Sequence, residues 1–100
     1  VIKVARRFGL DFTYENFYSS EFSRRYKRLP ERIKDLAKEK EKIFREDPFD
    51  QRLKTYKLKG RYSNFWAFSV DFGYRIIFKF HGDDTVRFYA VGDHSIYKNF

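Results

Sequence analysis

The chain has 100 residues, a formal net charge of +8, 22% aromatic residues and no cysteine. This length suits a single domain and excludes a two-domain enzyme with its active site in an interdomain cleft. The lack of cysteine excludes disulfides, thiolate zinc sites and thiol catalysis. No apolar stretch approaches the roughly 18 residues of a membrane span and no signal peptide is visible, so we expect a cytoplasmic protein that does not cross a membrane.

The first part of the chain predicts one short strand. Residues 1–10 show no clear periodicity, and we interpret them as an N-terminal extension or an edge strand of one domain that covers residues 1–100. The segment LDFTYENFY follows, and its alternation places Phe12, Tyr14 and Asn16 on one side, which is typical of a strand.

The next part predicts a helical hairpin. Ser19 or Ser20 suits the N-cap of a first helix, and Pro30 ends that helix and starts a second one. The second helix is expected to end before Pro48, because the residue that precedes a proline resists the helical conformation. Apolar residues recur at helical spacing in both helices, at Phe22, Tyr26, Leu29, Ile33, Leu36, Ala37, Ile43 and Phe44. The pair therefore has one apolar side.

Beyond residue 50 the pattern changes to strict alternation. We expect strands over residues 53–58, 65–72, 74–80 and 85–92, with a short link at Asp71–Gly73 and a second turn at His81–Asp84. The alternation puts Trp66, Phe68, Val70 and Phe72 on one face, then Tyr74, Ile76, Phe78 and Phe80, and then Val86, Phe88 and Ala90. Because helices and strands are segregated, the predicted fold class is α+β, with an N-terminal helical hairpin packed on a small antiparallel β-sheet.

Most kinds of catalytic site are missing from the sequence. Only two histidines occur, His81 and His94, and the sequence contains neither a phosphate-binding glycine loop nor a serine nucleophile elbow. The carboxylates of Glu39 and Glu41 lie on a helix of mixed charge, which does not favour paired-carboxylate catalysis. We therefore expect no metal and no cofactor.

The remaining chemistry is basic and aromatic. A strongly basic domain favours an acidic partner, either a nucleic acid or an acidic protein, and aromatic rings stack on unpaired bases. Cations are dense around one strand and its loop, at Lys54, Lys57, Lys59 and Arg61, and on the first helix, at Arg24, Arg25, Lys27 and Arg28. Lysines on an edge strand also protect against edge-to-edge pairing, so their position alone does not establish a binding role.

Four segments resemble the RelE/ParE superfamily of toxins, in particular its RelE/StbE-type branch. They are FYSSEFSRRYKRLP, FREDPFDQRLKTYKLKG, FWAFSVDFGYRIIF and VRFYAVGDHSIY, in that order, and they cover about four-fifths of the chain, from Phe17 to Tyr97. The resemblance implies a RelE-like fold and a toxin of a type II toxin–antitoxin system. It further implies an endoribonuclease that cleaves mRNA in the ribosomal A site without a metal or cofactor and so inhibits translation.

The resemblance also implies roles for individual residues. Arg75 stabilises the phosphate that is attacked, His94 transfers a proton, and Tyr97 stacks on a base or joins the proton network. Lys54, Lys57, Lys59 and Arg61 hold the RNA backbone together with Tyr56, which is also a weak substitute for a missing general base. Arg24, Arg25, Lys27 and Arg28 are the candidates for contact with ribosomal RNA.

The implied partners are mRNA, the ribosomal RNA of the A site and an acidic antitoxin that folds over the basic surface. Two alternatives stay open at this point. A ParE-like inhibitor of DNA gyrase has no need of the proton-transfer histidine at position 94. A catalytically silent member that only binds its antitoxin is favoured by the lack of lysines where Trp66 and Phe68 stand.

Overall fold

The computed structural model describes residues 13–99, so the predicted extension over residues 1–10 lies outside the described part. Among the described residues there are five strands and three helices. The strands are β1 (Glu15–Tyr18), β2 (Tyr56–Lys57), β3 (Trp66–Ser69), β4 (Arg75–Phe80) and β5 (Thr85–Gly92), and the helices are α1 (Ser20–Lys27), α2 (Glu31–Glu46) and α3 (Ile96–Asn99). No helix within residues 13–99 is both long and apolar enough to cross a bilayer.

The five strands form one sheet in the order β1-β5-β4-β3-β2. Strands β2 to β5 pair antiparallel, whereas β1 pairs parallel to β5, with Glu15 opposite Thr85. The predicted α+β class with a helical hairpin on a sheet is confirmed, but the sheet is mixed rather than antiparallel. Alternation in a sequence shows which residues share a face and carries no information about strand direction.

The helical hairpin packs on one face of the sheet, as its apolar side predicts. Ser19 is the N-cap of α1 and accepts a hydrogen bond from the Phe22 amide at 2.9 Å, and Pro30 precedes the first residue of α2. The buried side chains of the hairpin meet the rings of the central strands in the main core, which includes Phe22, Ile33, Ala37, Phe44, Phe68, Ile76, Phe78 and Phe88.

The opposite face of the sheet is also partly buried, under α3. A second apolar cluster forms there from Leu58, Ala67, Ile77, Ala90 and Ile96. The register between β4 and β5 shifts, because Ile77 is opposite Ala90 while Phe78 is opposite Phe88, which leaves Tyr89 as the extra residue of a β-bulge. The prediction that Ala90 shares a face with Phe88 is therefore wrong, since the bulge turns it to the other face.

Two further strand predictions are wrong in detail. The expected strand over residues 53–58 is reduced to Tyr56–Lys57, because residues 51–53 form a 3-10 turn and Lys54 follows it in the left-handed region, with φ of 51°. Phe72 was expected on the buried face, yet its side chain is 98% exposed. Strand β3 ends at Ser69, and a turn closed by the Val70 amide on the Tyr74 carbonyl at 2.9 Å lifts Phe72 away from the core.

Candidate functional site

Arg75 begins β4 and is anchored to the turn that precedes it. Its Nη1 donates to the carbonyl oxygens of Asp71, Phe72 and Tyr74 at 3.0, 3.3 and 3.1 Å. The side chain alternates with that of Ile76 and so belongs to the face opposite the helical hairpin. These three bonds hold a half-buried guanidinium in a fixed position at one end of the sheet.

The turn that carries His94 lies next to Arg75. In the antiparallel pair of β4 and β5, Arg75 is opposite Gly92, two residues before His94. The side chain of Asp93 accepts hydrogen bonds from the amide and hydroxyl of Ser95 at 2.9 and 2.7 Å. These bonds, with a smaller effect of the His94 charge, lower the pKa of the Asp93 carboxyl. The turn is thus held by an ionised carboxylate and presents an exposed imidazole.

Gly92 allows α3 to approach the end of β5. A Cβ built on Gly92 would lie 2.3 Å from Cγ2 of the buried Ile96, a distance that no real side chain tolerates. Only a glycine lets the isoleucine pack directly on this strand. The contact therefore sets the position of α3 and of its next residue, Tyr97.

Tyr97 and Tyr56 join their hydroxyl groups in a hydrogen bond across the sheet face. Partial burial raises the pKa of Tyr97, the bond to Tyr56 raises it further, and the charge of Arg75 acts in the opposite direction. Arg75 lies on the same sheet face, two residues before Ile77, which belongs to the apolar cluster against which Tyr97 packs. The phenol stays protonated at neutral pH and is available as a hydrogen-bond donor.

Arg75, the His94 turn, Tyr97 and Tyr56 thus meet at one end of one sheet face. The fold positions each of them by a different element: the start of β4, the loop after β5, α3 and β2. This arrangement combines a fixed cation, an exposed imidazole and a pair of phenols, which are groups that can bind a phosphate and move protons. The residues are far apart in the sequence, and the sheet topology brings them to one end.

A groove beside Arg75 carries further cations. We call it the basic groove; it is a cavity of about 340 Å³ lined by Lys40, Arg52, Lys54, Ser69, Val70, Asp71, Phe72 and Arg75. Arg52 is already paired, since its Nη2 and Nε lie 2.9 Å from the two carboxylate oxygens of Asp50. That bond and the turn amide lower the pKa of the Asp50 carboxyl to about 2. Sequence reasoning assigned only Lys54 and Arg75 of this set.

The other predicted cations are distributed over two regions. Lys57, Lys59 and Arg61 are exposed on β2 and the loop after it, and Arg61 donates to the Tyr62 hydroxyl at 3.0 Å. On α1, Arg25 and Arg24 pair with Glu21 at 2.7 and 3.8 Å.

The α1 cations do not all face the same way. Arg25 and Arg28 line a shallow groove together with Gly92, Asp93 and Ser95, next to the His94 turn. Lys27 lines a different groove, between the two helices of the hairpin, together with Tyr18 and Glu41. The proposed set of four cations is therefore divided, with half of it beside the candidate site.

The residues of the basic groove that were missed from the sequence include Lys40, Arg52 and Phe72. Lys40 and Arg52 belong to elements that meet β3 and β4 only in the folded chain, so no local pattern marks them. Phe72 stands between Asp71 and Gly73, and this turn composition is the one signal that could have removed it from the core. Within residues 13–99 no three potential metal ligands of the His, Cys, Asp or Glu type cluster together.

Solved structures similar to this chain include toxins and toxin–antitoxin complexes. A YoeB/ParE toxin from Agrobacterium tumefaciens aligns over 80% of this chain and 98% of its own, with a TM-score of 0.70 and 15% identity. The toxin–antitoxin complex RelBE2 from Mycobacterium tuberculosis covers 82% and 99%, with a TM-score of 0.70 and 18% identity. The DinJ–YafQ complex from E. coli covers 83% and 96%, with a TM-score of 0.63 and 25% identity.

Sequence comparison adds nothing to this likeness, since neither a protein-family model nor a curated protein matches the chain. The fold is the one that these toxin structures share, and the predicted RelE-like architecture is confirmed. Each of these structures aligns over 80% or more of this chain and nearly the whole of its own.

Proposed function

We propose that this protein is the toxin of a type II toxin–antitoxin system and that it acts as an endoribonuclease on translated mRNA in the cytoplasm. The observation that carries the proposal is the meeting of Arg75, the His94 turn and the Tyr56–Tyr97 pair at one end of a sheet whose fold is shared with such toxins. The strong positive charge of the chain suits RNA as the substrate.

In the proposed reaction the 2′-hydroxyl of the RNA attacks the adjacent phosphorus, and the bond from phosphorus to the 5′-oxygen breaks. One strand then ends in a 2′,3′-cyclic phosphate, and the other begins with a 5′-hydroxyl. The 2′-hydroxyl gives up one proton and the leaving oxygen gains one, so the site needs a proton acceptor and a proton donor. Negative charge accumulates on the phosphorane oxygens and needs a fixed cation.

The side chains can be assigned to these needs. Arg75 faces the phosphorane, because its guanidinium is held in place before substrate arrives and requires no reorganisation. His94 transfers a proton, since an imidazole changes its protonation near neutral pH. Tyr97 acts as a donor through a phenol that stays protonated, and Tyr56 orients that phenol. Lys54, Lys57, Lys59 and Arg61 hold the RNA backbone, and Arg25 and Arg28 extend the contact beyond the His94 turn toward ribosomal RNA.

The proposal includes an acidic antitoxin as the partner. Its basis is the high positive charge of the chain and the fact that structures of the same fold include toxin–antitoxin complexes. A disordered acidic segment that folds over the Arg75 end of the sheet neutralises the charges and blocks the site. A neighbouring reading frame that encodes a short acidic protein is expected.

The proposal is tested with purified protein, programmed ribosomes and primer extension on the mRNA. Wild type is expected to create new 5′ ends within translated regions, whereas Arg75→Ala and His94→Ala are each expected to lower cleavage at least about 100-fold. Lys38→Ala, which removes an exposed cation from α2, is the matched control and is expected to cleave as wild type. Circular dichroism checks that all variants are folded.

The same experiment separates the alternatives. Wild-type protein that leaves mRNA intact but blocks DNA replication would indicate a gyrase inhibitor. Wild-type protein that does neither, yet binds an antitoxin, would indicate a silent member. Cleavage by both alanine variants at the wild-type rate would show that the site assignment is wrong.

A further inference from the structure

The basic groove is positively charged, and the proposed function uses only two of its lining residues, Arg75 and Lys54. Its one carboxylate, Asp71, is already satisfied: Oδ1 accepts from the amides of Gly73 and Tyr74 at 2.9 and 3.0 Å, and Oδ2 lies 3.6 Å from Nη1 of Arg32. Arg52 is neutralised by Asp50. The uncompensated cations of the groove are therefore Lys40 and Lys54, together with Arg75 at its inner end.

The backbone of Lys54 has an unfavourable conformation for a residue with a side chain. It follows the 3-10 turn with φ of 51° and ψ of 45°, a conformation in which a glycine or asparagine is the usual residue. Its side chain is exposed, and among the described residues no acidic group lies within ion-pair distance of it. A lysine at a position that suits glycine points to a use for its charge.

Phe72 lines the same groove with an aromatic ring that has nothing to pack against. The side chain is 98% exposed, while the other exposed large apolar residues in the described part of the chain reach at most 50%. The backbone beneath the ring is fixed, because the Asp71 carboxylate binds two amides of the turn and Arg75 binds its carbonyls. The ring is thus a solvent-exposed platform on a fixed stretch of backbone, and two lysines line the same groove.

We propose that the basic groove is a subsite for one nucleotide of single-stranded RNA next to the cleaved linkage. Lys54 and Lys40 contact the backbone phosphate of that nucleotide, and its base stacks on Phe72. Charged grooves that track a phosphate backbone and present aromatic rings to successive bases are the way in which proteins hold single strands. The subsite rests on the proposed function, since Arg75 links the groove to the reacting phosphate.

The test measures the affinity of the full chain for a fluorescein-labelled chain of twelve uridines by fluorescence anisotropy, at several salt concentrations. Phe72→Ala is expected to weaken binding at least fivefold, because stacking on an aromatic ring carries most of the contact to a base. Phe72→Trp is expected to bind at least as tightly as wild type. The slope of log affinity against log salt should not change in either variant, since no phosphate contact is lost.

Lys54→Ala is expected to weaken binding and to reduce that salt slope by about 0.7, the value for one phosphate contact on a single strand. Two matched controls lie away from the groove. Phe17→Ala removes a half-exposed ring from β1, and Lys38→Ala removes an exposed cation from α2. Both are expected to bind the twelve-uridine probe within twofold of wild type.

Three results would overturn the subsite. These are failure of wild type to bind the probe, a Phe72→Ala variant that binds as tightly as wild type, and tighter binding of a polyglutamate peptide than of the RNA, which would indicate an acidic protein as the occupant.

The outcome of this test can be distinguished from the outcome of the test of the proposed function. Ribosomal cleavage by wild type with no effect of Phe72→Ala on binding removes the subsite alone, whereas probe binding that depends on Phe72 without any cleavage removes the nuclease proposal alone.

Discussion

At the scale of single residues, the Tyr56–Tyr97 pair makes the stability of the folded protein depend on pH. The pKa of Tyr97 is raised in the folded protein by burial and by its bond to Tyr56. In the unfolded chain the phenol ionises at its ordinary value of about 10. The folded state therefore holds the proton more tightly, and this contribution to stability is complete below about pH 10 and is lost as the pH rises further.

We expect the Tyr97→Phe variant to lose less stability than wild type between pH 9 and pH 11, because position 97 then no longer carries a phenol that must stay protonated. Tyr56→Phe, which removes one source of the raised pKa but leaves burial, should give an intermediate loss. Urea unfolding at pH 8, 9, 10 and 11 measures these differences. A Tyr97→Phe variant whose stability falls as steeply as that of wild type would contradict the assignment of the raised pKa to Tyr97.

Residue-level prediction from the sequence took its candidate site from the resemblance to a known family, and it failed where packing decides. Arg75, His94 and Tyr97 stand out through their residue types and their segments, and the structure places their elements at one end of the sheet. Phe72 could not be placed, because alternation extends past the true end of β3 and a turn reverses the chain at residue 70. The functional roles of all these residues stay predictions.

At the scale of elements, Ser19 connects the hairpin to the sheet. Its Oγ accepts from the Phe22 amide at 2.9 Å as the N-cap of α1 and donates to the Tyr89 carbonyl at 2.9 Å, which belongs to the β-bulge. Its own amide donates to the Phe88 carbonyl at 2.9 Å. One buried hydroxyl thus caps a helix and also provides a hydrogen-bond donor to the Tyr89 carbonyl of the β-bulge.

Ser19→Ala is expected to lower the free energy of unfolding by about 1–2 kcal/mol, since both the cap and the bond to the bulge are lost. Ser20→Ala is the matched control, because Ser20 is exposed and is the first helical residue rather than the cap. It should change stability by less than about 0.5 kcal/mol. Urea unfolding followed by circular dichroism gives both values, and equal effects of the two changes would contradict the capping role of Ser19.

Gly92 is the second position at which one element fixes another. Gly92→Ala places a methyl group against Cγ2 of Ile96, a β-branched side chain that is buried and cannot move freely. We expect a loss of about 1–3 kcal/mol in stability. We also expect lower cleavage on ribosomes, because α3 and Tyr97 must shift away from Tyr56.

Gly73→Ala is the control for this change, since a Cβ at Gly73 meets no atom within 4 Å and its φ is not in the left-handed region. Its loss in the free energy of unfolding should be no more than half of the loss that Gly92→Ala causes. Thermal unfolding and primer extension are the two measurements. A Gly92→Ala protein with wild-type stability and wild-type cleavage would show that the Gly92–Ile96 contact does not position the site.

Element-level prediction from the sequence was right for the elements whose signals are local. Pro30, Pro48 and the apolar spacing of the hairpin mark α1 and α2, and the structure has the helices there. The parallel pairing of β1 with β5 and the bulge at Tyr89 depend on contacts between distant segments, so no window of sequence contains them. These two features decide which residues reach the functional face.

At the scale of the whole molecule, the two faces of the sheet have different tasks. One face carries the main core and the helical hairpin, which supply most of the buried apolar surface. The other face is covered only in part by α3, and it holds Arg75, Tyr56 and Tyr97 beside a smaller cluster. The protein can therefore expose one end of a sheet to a large partner without opening its core.

The order of strands in the sheet has a consequence for biosynthesis. Strand β1 is made near the start of the chain, but its partner β5 is made after every other strand. Contacts between such distant segments form late in folding. The pairing of Arg75 with Gly92 and the docking of Tyr97 also require β5. A nascent chain that has not yet made β5 and α3 lacks the assembled site, so the proposed activity cannot appear before these two elements are synthesised.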